Sequence, residues 1–254
     1  MRRSSMLVAL LMLLQCMALG QDSGRALLSA ARKRALDARG KEGVAREKVY
    51  EDCVRLLTLV PERYPKEKIA VARAWLHLGR TYRRLDRPGD AEVAFGNVLR
   101  IPEEQRSCCE ALHDLASLYR KGKRRGEATK SLQRVVDGFP GQVRLRAMAL
   151  IRLAGLARDA SAHARAETLL RQCLREHGDL WRQSVDALDQ LVRLRLGQKD
   201  ATGARGVLDA HAAALRARFV GTEDEDRLEN ALMKMVSRGR LAKLEARKEG
   251  GGLR

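Results

Sequence analysis

The constraint that dominates this sequence is internal repetition. Leu78-Gly79, Tyr82, Ala91 and Phe95 are answered at identical offsets by Leu115-Ala116, Tyr119, Ala128 and Leu132. A third copy runs Leu153-Ala154, Ala157, Ala166 and Leu170, and a fourth Leu191-Val192, Arg195, Ala204 and Leu208. The leading leucines stand 37, 38 and 38 residues apart. A period of this length predicts a linear stack of two-element units, because one unit cannot bury its apolar face alone and must cover it with the next.

Composition says what those elements are. The chain has 254 residues, 45% of them hydrophobic, only 4% aromatic and five proline. Its apolar content is mostly Ala and Leu rather than β-branched residues, which favours helices and excludes an all-β sandwich. Small residues on both elements (Gly79 or Ala116, then Ala91, Ala128, Ala166 or Ala204) let two helix backbones approach, while Tyr82, Phe95, Tyr119 and Leu132 fill the layer between. Turns inside the hairpins are expected at Arg87-Pro88-Gly89-Asp90, Lys121-Gly122-Lys123 and Gln198-Lys199-Asp200, and between hairpins at Tyr64-Pro65, Ile101-Pro102 and Phe139-Pro140.

The run Trp75, Leu78-Gly79, Tyr82, Ala91, Phe95 and the later Pro102 resembles the tetratricopeptide repeat. The resemblance implies an all-α solenoid of stacked antiparallel helical hairpins, with the three or four residues beyond the usual period falling between units. Repeats are expected over about 72–105, 109–142, 147–180 and 185–218, within an array covering 65–221. Residues 21–64 read as a degenerate first hairpin, with Leu27, Leu28 and Ala31 on one stretch and Val49, Cys53, Leu57 and Val60 on the other. Thr222-Glu223-Asp224-Glu225 opens a C-terminal capping helix over 222–248, striped by Leu228, Leu232, Met235 and Leu241, and 249–254 form a tail.

In the family, the first helix of each hairpin lines a concave groove. With first helices starting at Ala72, Cys109, Ala147 and Val185, the resemblance assigns Arg73, Arg80, Arg83, Arg84, His113, Arg120, Lys121, Arg158 and Arg193 to that groove, alongside Leu76 and Ile151. Arg83, Arg120 and Arg158 share one register. Guanidinium groups so arrayed suit the carboxylates of an acidic peptide. The family's clamp for a chaperone C-terminal carboxylate does not carry over, since Leu76, His77, Arg80, Glu110 and Asp114 stand in its places.

Residues 1–20 read as a secretory signal: Arg2 and Arg3, the apolar run Met6–Leu14, then Ala18-Leu19-Gly20. Its removal takes away two of the charges behind a net +18, so the mature chain stays strongly basic. With the signal, the chain resembles exported tetratricopeptide proteins of the bacterial envelope, which implies a periplasmic or extracellular place and an envelope complex. Export argues against nucleic acid as the partner of that charge, as does a groove without interleaved aromatics. Four cysteines remain after cleavage: Cys53, Cys108, Cys109 and Cys173, which allow three pairings in an oxidising compartment. Cys109 and His113 share a helical face, but no second pair at ligand spacing completes a metal site, and the thiols read as small buried residues.

No phosphate loop, nucleophile elbow or zinc-binding helix motif occurs. The expectation is a non-enzymatic protein-interaction scaffold without cofactor, taking an acidic partner in its groove. The alternative is a basic adaptor for anionic lipid or cell-wall polymer, working through the cluster Arg120, Lys121, Lys123, Arg124 and Arg125.

Overall fold

A computed structural model describes residues 23–237. The expected signal at 1–20, the distal part of the capping helix and the tail lie outside the described residues. Those described form eleven α-helices and one 3-10 turn, with no strand among them: α1 (Gly24–Asp37), the 3-10 turn (Ala38–Gly40), α2 (Gly43–Arg63), α3 (Lys68–Arg84), α4 (Pro88–Val98), α5 (Gln105–Lys121), α6 (Arg125–Gly138), α7 (Val143–Asp159), α8 (His163–Glu176), α9 (Trp181–Gly197), α10 (Ala201–Phe219) and α11 (Glu225–Ser237). The chain divides into two compact units, Met1–Ala128 and Thr129–Arg254.

In the first unit each helix packs on the next, and the odd-numbered helices also touch one another, α1 on α3 and α3 on α5. The second unit repeats this pattern: α7 pairs with α8, α9 with α10, and α7 lies against α9, with α11 closing on α9 and α10. That alternation is an all-α solenoid of antiparallel hairpins.

The four first helices α3, α5, α7 and α9 are each 17 residues long. They begin one turn ahead of the expected starts, at Lys68, Gln105, Val143 and Trp181 rather than Ala72, Cys109, Ala147 and Val185. The turn that those expected starts omit opens on solvated residues such as Lys68 and Gln105, but in three of the four helices it already buries its third and fourth residues: Ala70 and Val71, Ser107 and Cys108, Gln183 and Ser184. What fixes the start is the preceding β-turn. The amides of Glu67, Glu104 and Gln142 donate to the carbonyls of Tyr64, Ile101 and Phe139 at 3.0, 3.1 and 3.0 Å, with Pro65, Pro102 and Pro140 at the second turn position. Proline's fixed φ suits that position. Leu180 repeats the bond to His177 at 3.0 Å with Gly178 in the proline's place.

The turns within hairpins are equally regular and use a device that the sequence conceals. Asp86, Lys123, Ser161 and Lys199 all adopt left-handed backbone, with φ of 53°, 59°, 58° and 61°. Each is followed by an amide that reaches back five residues: Arg87 to Tyr82, Arg124 to Tyr119, Ala162 to Ala157 and Asp200 to Arg195, at 2.8 to 3.0 Å. This is the helix-ending bond usually built on glycine. The first expected turn therefore shifts: Leu85 to Arg87 make it, and Pro88 is the first residue of α4, where its missing N–H costs nothing.

The core follows the repeat signature. Phe95, Leu78, Leu132, Leu150, Leu170, Leu188 and Leu191 are among its largest fully buried side chains. A Cβ on Gly79 would lie 2.5 Å from Phe95 Cε1, so the absent side chain is what lets the ring lie on α3. The cysteines pack as small apolar residues. All four are buried, and the thiols of Cys53 and Cys108 donate to the carbonyls of Ala31 and Ile101, each at 3.4 Å. Burial pushes Cys53 up to about 11 and Cys109 and Cys173 up to about 12, so none of these three is a ready thiolate.

Candidate functional site

The first unit carries two cavities on the face built by its first helices. The larger, about 610 Å³, lies between α3 and α5 and is lined by Arg80, Arg83, Arg84, Asp86, Asp114, Ser117, Leu118 and Lys121, with Pro88 and Gly122. The smaller, about 340 Å³, lies between α1 and α3 with α2 below, and shares Arg80 and Arg84 with the larger one.

The larger cavity is basic in sequence but largely neutral in structure. Arg80 donates through Nε to Asp114 at 2.6 Å and through Nη2 to Glu110 at 3.0 Å. Arg83 donates to the other oxygen of Asp114 at 2.7 Å, and Lys121 pairs with Asp86 at 3.2 Å. Burial favours the neutral form of Arg80, but its bonds to Asp114 and Glu110 more than offset this and raise its pKa. These pairs tie α3 to α5 across adjacent hairpins, so three of the four cations in the cavity already hold carboxylates.

The smaller cavity is different. Its floor and walls hold Leu28, Ala31, Ala35, Leu36, Tyr50, Cys53 and Leu57, and its rim holds Arg32, Arg39, Arg80 and Arg84, with no acid in the lining. Arg84 lies over the Tyr50 ring at 5.5 Å. Among the described residues, Arg32, Arg39 and Arg84 form no ion pair, in contrast to Arg80. His77 faces the same space; burial, and the nearby Arg80 and Arg32 charges, lower its pKa, so it is neutral at pH 7.

Of the nine residues assigned to the groove from sequence, Arg80, Arg83, Arg84 and Lys121 line a cavity. Arg73 and Arg120 are exposed but line neither cavity. His113 is corrected outright: it is 6% exposed, within the core. Its equivalents Leu76 and Ile151 are 4% and 8% exposed, so this repeat position points inward in three successive hairpins rather than into a groove. Arg158 and Arg193 belong to the second unit, where they pair locally with Asp159 at 3.3 Å and Asp189 at 2.7 Å. The basic turn cluster is also partly neutralised: Arg124 pairs with Glu92 at 2.8 Å and Glu127 at 3.1 Å while stacking on Tyr119 at 4.4 Å.

No protein-family model matches the sequence, and no curated protein does. Solved structures do match. MamA 41-end from Desulfovibrio magneticus RS-1 aligns with a TM-score of 0.51 at 13% identity, over 78% of this chain and 97% of that one. The nearly identical TPR-like repeats of a Podosopora anserina kinesin light chain align with a TM-score of 0.54 at 18% identity, over 76% of this chain and 94% of that one. The chain has the tetratricopeptide-repeat fold.

Within this tetratricopeptide array a second recurrent feature joins successive hairpins. Glu51 receives Arg87 at 3.4 Å, Glu92 receives Arg124 at 2.8 Å, and Glu167 receives Arg195 at 2.6 Å. Arg87 and Arg124 also lie over Tyr82 and Tyr119, the tyrosines of the repeat signature, at 4.8 and 4.4 Å. In the last case the polarity is exchanged: Arg195 takes the tyrosine's place and Asp200 the arginine's, at 3.2 Å. The signal for these clasps was available as opposite charges about one repeat apart. The cleft between α1 and α3 had no such signal, because α1 lacks the repeat signature.

Proposed function

We propose that the chain is an exported, non-catalytic scaffold of the cell envelope that holds an acidic stretch of a protein or peptide partner on the first-helix face of its first unit. Unpaired charge carries this reading. Among the described residues Arg32, Arg39 and Arg84 form no ion pair, unlike Arg80 and Arg83 beside them, and together they line a concave space. Guanidinium groups gathered there repel one another and gain most from bidentate carboxylates arriving from outside. Nucleophilic catalysis by Cys53, Cys109 or Cys173 has little support, because burial holds these thiols well above neutral pH. Export rests on the basic, apolar and small-residue succession of residues 1–20. The polyanion-adaptor alternative is weakened by the internal partners of Lys121 and Arg124.

The test is cross-linked affinity capture from bacterial cell envelopes with the mature chain, comparing wild type with a variant carrying Arg32→Glu, Arg39→Glu and Arg84→Glu. Arg80 and Arg83 are left intact, because reversing them would crowd new carboxylates against Glu110 and Asp114 and unseat α5. One protein recovered with wild type and lost with the triple variant is the expected result. Recovery that is the same with both chains refutes the reading.

A further inference from the structure

The joint between α8 and α9 departs from the other three. Tyr64-Pro65, Ile101-Pro102 and Phe139-Pro140 each set an apolar or aromatic residue before a proline, whereas this joint reads His177-Gly178. Its backbone is nonetheless fully engaged. The His177 amide donates to the Cys173 carbonyl at 2.9 Å, and the His177 carbonyl accepts the Leu180 amide at 3.0 Å and the Ser184 hydroxyl at 3.3 Å. Ser184 is fully buried, so this carbonyl seats the first turn of α9. The imidazole on the same residue is 3% exposed, and neither of its nitrogens makes a hydrogen bond among the described residues. A neutral imidazole has one donor and one acceptor, and burying both without partners costs stability. Gly178 leaves the backbone freer than the proline of the other joints. A Cβ there would overlap Nη1 of Arg218 and stand 2.8 Å from the Leu174 carbonyl oxygen, so no proline fits.

The charges around the ring decide what a proton would do there. Arg146 from α7 is fixed in place, its Nε donating to the Val136 carbonyl and its Nη2 to Glu176, each at 3.0 Å. Arg218 reaches the joint from α10. Against them stand Glu176 at the end of α8, already held by Arg146 and by Gln172 at 3.0 Å, and Asp179, exposed in the joint itself. On α9 the uncharged Ser184 meets the joint, and Asp186 acts on Cys173 rather than on His177. Burial and the Arg146 charge outweigh Glu176 and Asp179, so the ring is neutral at pH 7.

We propose that this joint is an acid-operated latch: a proton on His177 drives the ring out of the core, and the backbone turn that seats α9 leaves with it. A buried imidazolium would hold two N–H groups without acceptors beside the fixed Arg146 charge. Outside, it meets water and the Asp179 carboxylate. The His177 carbonyl then releases Leu180 and Ser184 and the first turn of α9 frays, while the buried Ala187, Leu188 and Leu191 keep the rest of that helix packed. The expelled ring takes a proton at the ordinary histidine value of about 6.5, above that of the buried ring, so each pH unit below it multiplies the opening constant by at most about ten. This device lies in the second unit and goes beyond the first-unit site proposed above.

The experiment is hydrogen–deuterium exchange of the mature full-length chain at pH 7.5 and 5.0, read peptide by peptide by mass spectrometry and corrected for the intrinsic pH dependence of exchange. Two variants accompany wild type: His177→Phe, which gives the joint the ring that Phe139 supplies to the one before it, and His177→Gln, which keeps a polar side chain that does not titrate. Circular dichroism identifies a variant that fails to fold, and the other then decides. In wild type, protection over 177–184 should fall at least about fivefold on acidification and should stand at least about tenfold below that over 149–157 of α7 at pH 5.0, as a local opening requires. In the folded variants the fall over 177–184 should shrink to less than about twofold. Unchanged protection of the joint in wild type overturns the proposal. Equal protection over 177–184 and 149–157 at pH 5.0 also overturns it, because acid would then act through the whole unit. An acid response retained in the folded variants overturns it as well, by placing the proton on another group.

Discussion

The sharpest test of the packing is the contact of Gly79 with Phe95. An alanine Cβ at position 79 would sit 2.5, 2.6 and 2.8 Å from three atoms of the Phe95 ring, where carbon atoms prefer about 3.5–4.0 Å. The ring would have to withdraw by about 1 Å, and Phe95 is 0% exposed, so it has no solvent to move into. Overpacking of this kind costs about 1–3 kcal/mol, against a gain of about 1 kcal/mol when alanine replaces glycine in a helix. Gly79→Ala should therefore destabilise the first unit by about 1 kcal/mol. Phe95→Leu alone should cost about 1–3 kcal/mol through lost burial and a residual cavity. Combined, the two changes recreate the pairing found in the second unit, where Ala154 and Leu170 are 1% and 2% exposed. The double variant should accordingly be more stable than the sum of the singles by about 1–2 kcal/mol. Urea unfolding followed by tryptophan fluorescence measures this in a Trp181→Phe background, where Trp75, packed against the first unit's core, is the remaining tryptophan. Additivity within about 0.5 kcal/mol, or a Gly79→Ala variant more stable than wild type, would refute the close-approach account.

Further predictions concern the turns and the buried titratable groups. Lys123→Gly and Lys199→Gly should each raise the urea midpoint, because a left-handed non-glycine residue costs about 1–2 kcal/mol and the added freedom of the unfolded glycine returns about 0.4–1 kcal/mol of that; an unchanged or lower midpoint counts against it. His177 is 3% exposed and neither ring nitrogen makes a hydrogen bond among the described residues. Burial and the Arg146 charge lower its pKa, against the opposing pull of Glu176 and Asp179. The unfolded chain then binds a proton more readily than the folded one, so stability should fall as pH drops below about 6.5, the ordinary histidine value. His177→Leu should flatten that slope in thermal melts between pH 5 and 7, and an unaltered slope would exclude His177 as its source. For Glu167, burial raises the pKa but the hydrogen bonds from Arg195 and Arg171 outweigh it, leaving a net lowering. The carboxylate's contribution is present above its ordinary pKa near 4.3 and is lost as pH falls through the lower folded value. Glu167→Gln should therefore reduce the acid sensitivity of the second unit below pH 5.

Most of the fold was legible because the repeat signature records packing. Gly79, Ala91 and Phe95 occupy places where backbone approach and ring volume admit few alternatives, and the same offsets return in the three hairpins that follow. The left-handed turn residues were not legible, since Asp86, Lys123, Ser161 and Lys199 carry none of glycine's signal. The site was only half legible for a different reason. A sequence shows which face an arginine occupies, and the partner that neutralises it stands on another hairpin: Asp114 is 34 residues from Arg80, and Glu92 is 32 from Arg124. His113 misled because the family's groove register, counted from Cys109, places it with Leu76 and Ile151 in the groove, whereas the helix starts one turn earlier at Gln105 and all three are buried.

The same distinction gives the charge of this protein its meaning. The chain carries 38 arginines and only 12 lysines, and the joints between hairpins favour that choice: at Arg87 and Arg124 one planar group stacks on a tyrosine while its N–H groups reach carboxylates on two helices. A lysine offers a single point of charge and no plane to stack. Arginines so engaged hold the solenoid together and leave little field for a ligand. Arg32, Arg39 and Arg84 have the same chemistry but form no ion pair among the described residues. In the function proposed above, the partner brings the acid that the neighbouring hairpin does not supply.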